Sequence, residues 1–305
     1  MLKINPAEFF VQPNKALDLS TIPTKVTPVF KSASQYSKIL SEHISQLSEI
    51  QELLYASNSF SVLIILQAMD AAGKDGAIKH IMSGVNPQGC QVFSFKHPSP
   101  IELQHDFLWR TTRNLPERGQ IGIFNRSYYE EVLIVRVHPQ ILISEGLPNV
   151  VDIGKTIWQE RFNSICDLED HLYLNGVRII KFYLHLSQEE QRKRFIERLD
   201  APSKNWKFSQ ADIDESHFWP QYRVAYEECM AATSTSEAPW YVIPADDKRN
   251  ARLIISRIIL DNLSQLKMAY PKASPARKKE LNQIRKQLKA QTFPKASPST
   301  THAGG

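Results

Sequence analysis

The stretch LIILQAMDAAGKDGAIK, Leu63 to Lys79, decides the fold. An apolar, largely β-branched run, Val62 to Leu66, ends in small residues, Ala68-Met69-Asp70-Ala71-Ala72-Gly73-Lys74, and these open a helical pattern with Ile78, Ile81 and Met82 on one side. The pattern predicts a strand, a phosphate-binding loop and a helix. Backbone N–H groups at such a helix start, here Ala71, Ala72, Gly73, Lys74, Asp75 and Gly76, can point at an anion. The helix dipole favours the anion, and a lysine reaches its outer phosphates. The Walker A pattern is incomplete: Ala68 stands at the first glycine position, and Asp75 follows Lys74 where a hydroxyl is usual. Two carboxylates flanking the lysine repel phosphates unless a divalent cation intervenes, so magnesium, with manganese as a substitute, is expected, held partly by Asp70. The competing reading is a strand-turn-helix in which Asp70 and Asp75 only favour the helix dipole.

The 305 residues suffice for one large core with insertions and tails, and 42% hydrophobic with 23% charged residues is ordinary for a soluble protein. No apolar run reaches membrane-spanning length and the amino terminus lacks a signal-peptide core, which predicts a cytoplasmic protein without a membrane partner. Cys90, Cys166 and Cys229 have no metal-ligand spacing and read as reduced thiols. The net charge of +5 is local: residues 272 to 305 carry eight Lys or Arg against one Glu, leaving −2 for residues 1 to 271. The body is near neutral, so net charge gives no reason to expect nucleic acid.

Residues 1 to 32 read as an extended arm. Tyr36, Leu40, Ile44, Leu47, Ile50 and Leu54 recur every three or four residues and predict a helix from Ser34 to Tyr55. Further strands are expected at Gln91–Phe95, Gln120–Phe124, Val177–Leu186 and Pro239–Ile243. Ser99-Pro100-Ile101-Glu102 is a capping box predicting a helix to about Arg113. That helix carries Asp106, Arg110 and Arg113, which suit either a solvated face or a pocket binding a nucleotide's phosphates. Asn125-Arg126-Ser127 lies at the tip of the third strand, before a helix expected over Tyr128 to Val135. Asn125 is placed to offer its amide oxygen to a metal with Glu130 compensating for the missing charge, and Arg126 to stabilise a transferring phosphoryl group; alternatively Asn125 and Ser127 cap the helix. His138 reads as structural, with Pro139 ending that helix, and a long helix is expected from Ile153 to Leu174. Ser187-Gln188-Glu189-Glu190 reads as a second capping box, starting a helix on which Arg194 and Arg198 share a face. The basic, aromatic loop Asp200 to Phe208 follows. Ser209 or Ser216 starts a helix to about Ala232, and Asn250 to Met268 closes the domain, with capping the expected role of Asp246 and Asp247. A basic helix is expected over Ala276 to Ala290, with disorder after Ser297. Five strands separated by helices predict a parallel, doubly wound sheet whose ligands bind at the strands' carboxyl ends.

Taken together, QAMDAAGKDG (67–76), SFKHPSPIELQHDFLWR (94–110), FNRSYYEEVLIVRVHP (124–139), KRFIERLDAPSKNWKFS (193–209) and APWYVIPADDK (238–248) resemble the polyphosphate kinase 2 family over roughly residues 35 to 265. The resemblance implies an α/β, P-loop kinase-like three-layer fold with a five-stranded parallel sheet and a helical lid. The chain then divides into the arm (1–32), a kinase domain (33–270, lid about 188–219) and a basic tail (271–305) that lies outside the resemblance. The resemblance further implies reversible, magnesium-dependent phosphoryl transfer between inorganic polyphosphate and nucleoside mono-, di- and triphosphates by a homodimer or homotetramer. By position it makes Asp70, Lys74, Asn125 and Arg126 site residues, and Arg194, Arg198, Lys204 and Lys207 the cations of the lid. The FNRS reading, with Asn125 where many members carry Asp, resembles the subclass acting on AMP and ADP, with GMP and GDP as further candidate acceptors. The alternatives are an ATP-dependent nucleoside monophosphate kinase, and a non-catalytic polyanion-binding module built on the tail.

Overall fold

In the computed structural model, which describes residues 4–147 and 155–291, five parallel strands form one sheet in the order β2-β3-β1-β4-β5. They are β1 (Ser61–Ala68), β2 (Cys90–Ser94), β3 (Ile121–Asn125), β4 (Val177–His185) and β5 (Trp240–Pro244), each within two residues of its expected place. Every residue of β1 is buried, as befits a central strand covered on both faces. Alternation along the strands sends Leu63, Ile65, Phe124 and Ile179 into one core, and Val62, Ile64, Ile123 and Ile180 into the other. The chain leaves β1 for β2, returns to β3, then crosses to β4 on the far side. The crevice at the carboxyl ends of β1 and β3 is therefore a topological switch point.

The first helix, α1 (Ala33–Ser57), is capped by Ser32 and ends at Asn58 in the left-handed region; α2 (Lys74–Ile81) follows the loop. The expected helix from Ser99 breaks. The capping pair forms, with Ser99 N donating to Glu102 at 2.6 Å and Glu102 N to Ser99 Oγ at 3.3 Å. Only a 3-10 turn follows, because Asp106 caps Leu108 N at 3.0 Å and starts α3 (Trp109–Thr112) afresh. Past β3 there is likewise no single helix over Tyr128 to Val135. A 3-10 turn, Tyr128–Val132, leads to α4 (Ile134–Val137), and Pro139 starts α5 (Pro139–Ser144), since a proline needs no N–H donor in a first turn.

Next come α6 (Lys155–Leu174), α7 (Gln188–Asp200), α8 (Gln210–Ser216) and α9 (Trp219–Thr233), the last with Pro220 in its first turn. The start expected for α6 at Ile153 lies outside the described residues. The box at Ser187 is half formed: its Oγ accepts from Glu190 N at 3.1 Å, but Glu190 turns to Arg194, and Asp246 takes Ser187 N at 2.9 Å. The reciprocal box sits instead at Ser209 and Asp212. Asp247 caps α10 (Lys248–Ser264). Residues 270–305 form a unit of their own, whose helix α11 (Pro275–Ala290) buries no residue. The disorder expected after Ser297 lies outside the described residues.

Within residues 4 to 32 the arm is fastened down. Val11 N donates to Trp240 O at 2.9 Å and Val242 N to Phe9 O at 2.8 Å, so the arm covers the outer edge of β5. Beyond, Thr24 Oγ1 donates to Asp246 at 2.7 Å, and His185 Nε2 lies 3.1 Å from the carbonyls of Leu19 and Ile22.

Beneath the segment that follows β3 lies a buried polar cluster. Lys181, fully buried on β4, donates to Glu169 of α6 at 2.5 Å, to Tyr129 Oη at 2.9 Å and to Thr233 O at 2.7 Å. The Tyr128 and Tyr129 hydroxyls both donate to Glu169 at 2.8 Å. Removing one partner of such a pair strands the other charge away from water. Lys181→Met is expected to cost about 3–5 kcal/mol in urea unfolding; a loss below about 1 kcal/mol, the range of exposed pairs, contradicts this account.

Candidate active site

The loop between β1 and α2 has two residues in the left-handed region, Ala71 (φ 62°) and Gly73 (φ 103°). That conformation is cheap for glycine and costs about 1 kcal/mol for alanine, but it turns successive N–H groups towards a common centre. Among the described residues, the N–H groups of Ala71, Gly73, Lys74, Asp75 and Gly76 meet no protein acceptor. Lys74 is buried, its ammonium donating to Ala68 O at 2.9 Å. Burial pushes its pKa below the usual lysine range, with Asp70, Glu130 and Asp75 opposing and Arg126 assisting.

Arg126 also adopts the left-handed region (φ 64°), immediately after β3. Its N–H donates to Leu66 O at 3.1 Å, and its guanidinium reaches Asp70 at 3.1 Å and Glu130 at 3.9 Å. Glu130 chiefly raises the pKa of Arg126; burial raises that of Glu130 against Arg126 and Lys74. Gln67 steadies the segment, its amide nitrogen on Glu130 at 2.9 Å and its oxygen on Ser127 Oγ at 3.2 Å. Ser127 accepts Tyr129 N, so the capping reading holds for Ser127. The Asn125 amide nitrogen donates to Asp75 at 2.7 Å, which leaves its oxygen as the group open to a cation.

Asp70, Arg126 and Glu130 line a cavity of about 240 Å³, closed by Leu133 and Ile134, by Tyr222 and Tyr226 of α9, and by Asp212, Glu215 and Ser216 of α8. The carboxylate of Glu215 accepts from Tyr222 Oη and lies 2.9 Å from His138 Nε2, an arrangement that seats α8 over the cavity. Sequence reasoning missed Gln67, Glu215, Tyr222 and Tyr226; the two tyrosines, four apart in a helical stretch, were the one available signal.

Other expected site residues lie elsewhere. Arg110 is buried, donating to Lys96 O at 2.7 Å and lying 3.7 Å from Glu131, so it is a core arginine. Arg113 is exposed over the Trp109 ring, and Asp106 is spent on capping; none of the three lines the cavity. Arg194, expected as a lid cation, is 4% exposed and bound to main-chain carbonyls. Arg198 is half-buried and Lys204 exposed, both away from the cavity lining; the Lys207 side chain lies outside the described residues. Phe208, packed on Phe195, anchors this loop to α7.

As for a metal, among the described residues no three His, Cys, Asp or Glu side chains form a binding group. Asp70, about one-third exposed, and the Asn125 amide oxygen fit a cation that keeps waters and takes its remaining ligands from substrate phosphates, as magnesium does.

The family model for polyphosphate kinase 2 matches residues 30–271. The chain belongs to that family. It is 60% identical over 287 residues to an ADP-polyphosphate phosphotransferase of Rhodopseudomonas palustris, covering 94% of this chain and 99% of that one. It is 41% identical over 273 residues to an AMP/ADP-polyphosphate phosphotransferase of Meiothermus ruber, covering 89% and 98%. The crystal structure of polyphosphate kinase 2 from Arthrobacter aurescens superposes with a TM-score of 0.83 at 36% identity, covering 92% of this chain and 97% of that one. The chain is thus a polyphosphate-dependent nucleotide kinase on an α/β, P-loop kinase-like fold. Among the described residues no helix is long and apolar enough to cross a membrane.

Glu131, next to Glu130, joins Arg161 at 3.2 Å and Arg110 at 3.7 Å. Burial and neighbouring Glu145 push its carboxyl from 4.5 up to about 7 against the two arginines. A raised carboxyl holds its proton longer in the folded state, so its contribution to stability is full below 4.5 and is lost as pH rises through about 7. In Glu131→Gln, which cannot titrate, the urea midpoint should decline less over this pH window than in the wild type; parallel declines would contradict the assignment.

Proposed function

We propose that the phosphate chain of polyphosphate lies over the loop, its terminal phosphate held by the N–H groups of Ala71 and of Gly73 to Gly76, by Lys74 and by Arg126. The acceptor nucleotide occupies the adjoining cavity. An oxygen of its terminal phosphate attacks the terminal phosphorus of the chain in line, the P–O–P bond breaks, and polyphosphate leaves one unit shorter. Such a transfer needs positioning and charge neutralisation more than covalent help from the protein. Asp70 and Asn125 hold magnesium, which neutralises charge on the phosphates when bound. Lys74 and Arg126 face the charge that builds on the transferring group, and Leu133, Ile134 and the two tyrosines exclude water.

The observation that carries this reading is a loop with unpaired N–H groups and a buried lysine whose Asp70 meets Arg126 at 3.1 Å in the lining of a cavity. Purified protein given polyphosphate as sole donor should convert AMP and ADP to higher phosphates. Asp70→Ala and Lys74→Ala should each lower turnover by about 10³-fold with the thermal midpoint little changed. Near wild-type turnover in either ends the proposal.

Asn125 supports AMP as well as ADP among the acceptors. Its neutral amide bonds Asp75 where a second carboxylate would repel both Asp75 and an incoming dianion. Asn125→Asp should lower kcat/KM for AMP more than for ADP, about tenfold in the ratio; an unchanged ratio removes Asn125 from acceptor choice.

A further inference from the structure

Two side chains on one face of α7 hold three successive carbonyls of the phosphate loop. Gln191 Nε2 donates to Asp70 O at 3.0 Å; Arg194 Nη1 donates to Ala71 O at 3.1 Å and to Ala72 O at 2.9 Å. The other edge of the guanidinium donates to Ala245 O at 2.7 Å and to Asp246 O at 3.0 Å, just past β5, while Nε donates to Glu190 at 2.8 Å. Every N–H edge of Arg194 is thereby engaged by protein, and the residue is buried.

Peptide planarity gives this clamp a consequence for substrate. All peptide bonds among the described residues are trans, so the C=O of one residue and the N–H of the next point in opposite directions. Drawing the carbonyls of Asp70, Ala71 and Ala72 towards α7 aims the following N–H groups the other way: those of Ala71 and Gly73 into the anion cradle, while that of Ala72 meets Met69 O at 3.4 Å. Ala71 lies in the left-handed region that this requires. Without an opposing hold, the loop can relieve that strain by rotating the peptide and losing an N–H from the cradle.

We infer that Gln191 and Arg194 are positioning residues for phosphoryl transfer: they act through the loop backbone, and Arg194 does not close on phosphate as a lid arginine. The inference rests on the loop being the phosphate-chain site. Because α7 opens the segment that leads to α8, and α8 lines the cavity, the clamp joins the cradle to the element covering the acceptor.

The experiment compares Gln191→Glu, Arg194→Lys and the double variant with the wild type, measuring kcat and the KM values for polyphosphate and for ADP. Gln191→Glu keeps size and removes the donor, and Arg194→Lys keeps charge and removes the planar fork. Each single variant should lower kcat/KM for polyphosphate by about tenfold to a hundredfold, as expected when reacting groups are slightly misplaced; because Gln191 also lines the acceptor cavity, the test of substrate selectivity is Arg194→Lys, whose KM for ADP should stay within about twofold of wild type. The double variant should lose less than the product of the singles, since both hold one loop. Thermal midpoints separate this from simple unfolding. Wild-type kinetics in Gln191→Glu, full rescue of Arg194 by lysine, or equal losses for both substrates accompanied by a large fall in midpoint would each overturn the inference. If Asp70→Ala and Lys74→Ala are inactive while these variants are normal, only the positioning role fails; if those two are active, the site itself fails.

Discussion

A lysine that is 9% exposed, its ammonium donating to a main-chain carbonyl, is the constraint to which the rest of the site answers. Burial disfavours its charge, and Asp70, Glu130 and Asp75 pull the other way. None of those carboxylates lies within ion-pair distance of it, so their pull acts at longer range and a phosphate can enter without first breaking a salt bridge to the lysine. Keeping a cation in that condition requires a rigid floor. Completely buried β1 supplies it, with its neighbours registered so that Leu66 lies beside Asn125 and Phe182.

The floor also fixes the two left-handed residues. Ala71 sits three residues past the end of β1 and Arg126 directly after β3, and neither is glycine. Each conformation costs about 1–2 kcal/mol and persists because neighbours over-determine it. Arg126 N is tied to Leu66 O, and beneath its segment Glu169 and Lys181 tether Tyr128 and Tyr129. A glycine in either place would take the turn at less cost, but at position 126 it would lose the guanidinium that meets Asp70.

The strands and the loop were legible because their signals are local: apolar runs bounded by turn residues, and Gly73-Lys74 after one of them. Capping was legible as well, in Ser127 and Asp247. The helix from Ser99 was not, since Asp106 offers a competing cap that a search for helical periodicity passes over. Least legible were the arginines. Arg110 and Arg194 look like surface cations in a helical pattern, yet each is buried by carbonyls and carboxylates far away in sequence, Lys96 and Glu131 for one, Ala71 and Ala245 for the other. Carbonyl acceptors exist at every residue and leave no mark in the sequence. Lys181 did leave one, as the lone charge within the run Ile179 to Leu184, and its buried partner Glu169 answers it from α6.

The same reasoning explains why cations contribute to this site at two depths. A guanidinium can satisfy several carbonyls at once in a plane, so it can be buried without an unpaired donor and serves as a brace. A lysine has a single nitrogen on a flexible stem and can exchange one carbonyl for a phosphate oxygen at small cost. Arg194 beneath the loop and Lys74 within it divide the work along that chemical difference. Arg126, about one-third exposed and shared between Asp70 and Glu130, stands between the two cases: held well enough to be aimed, and still open on the side that faces the cavity.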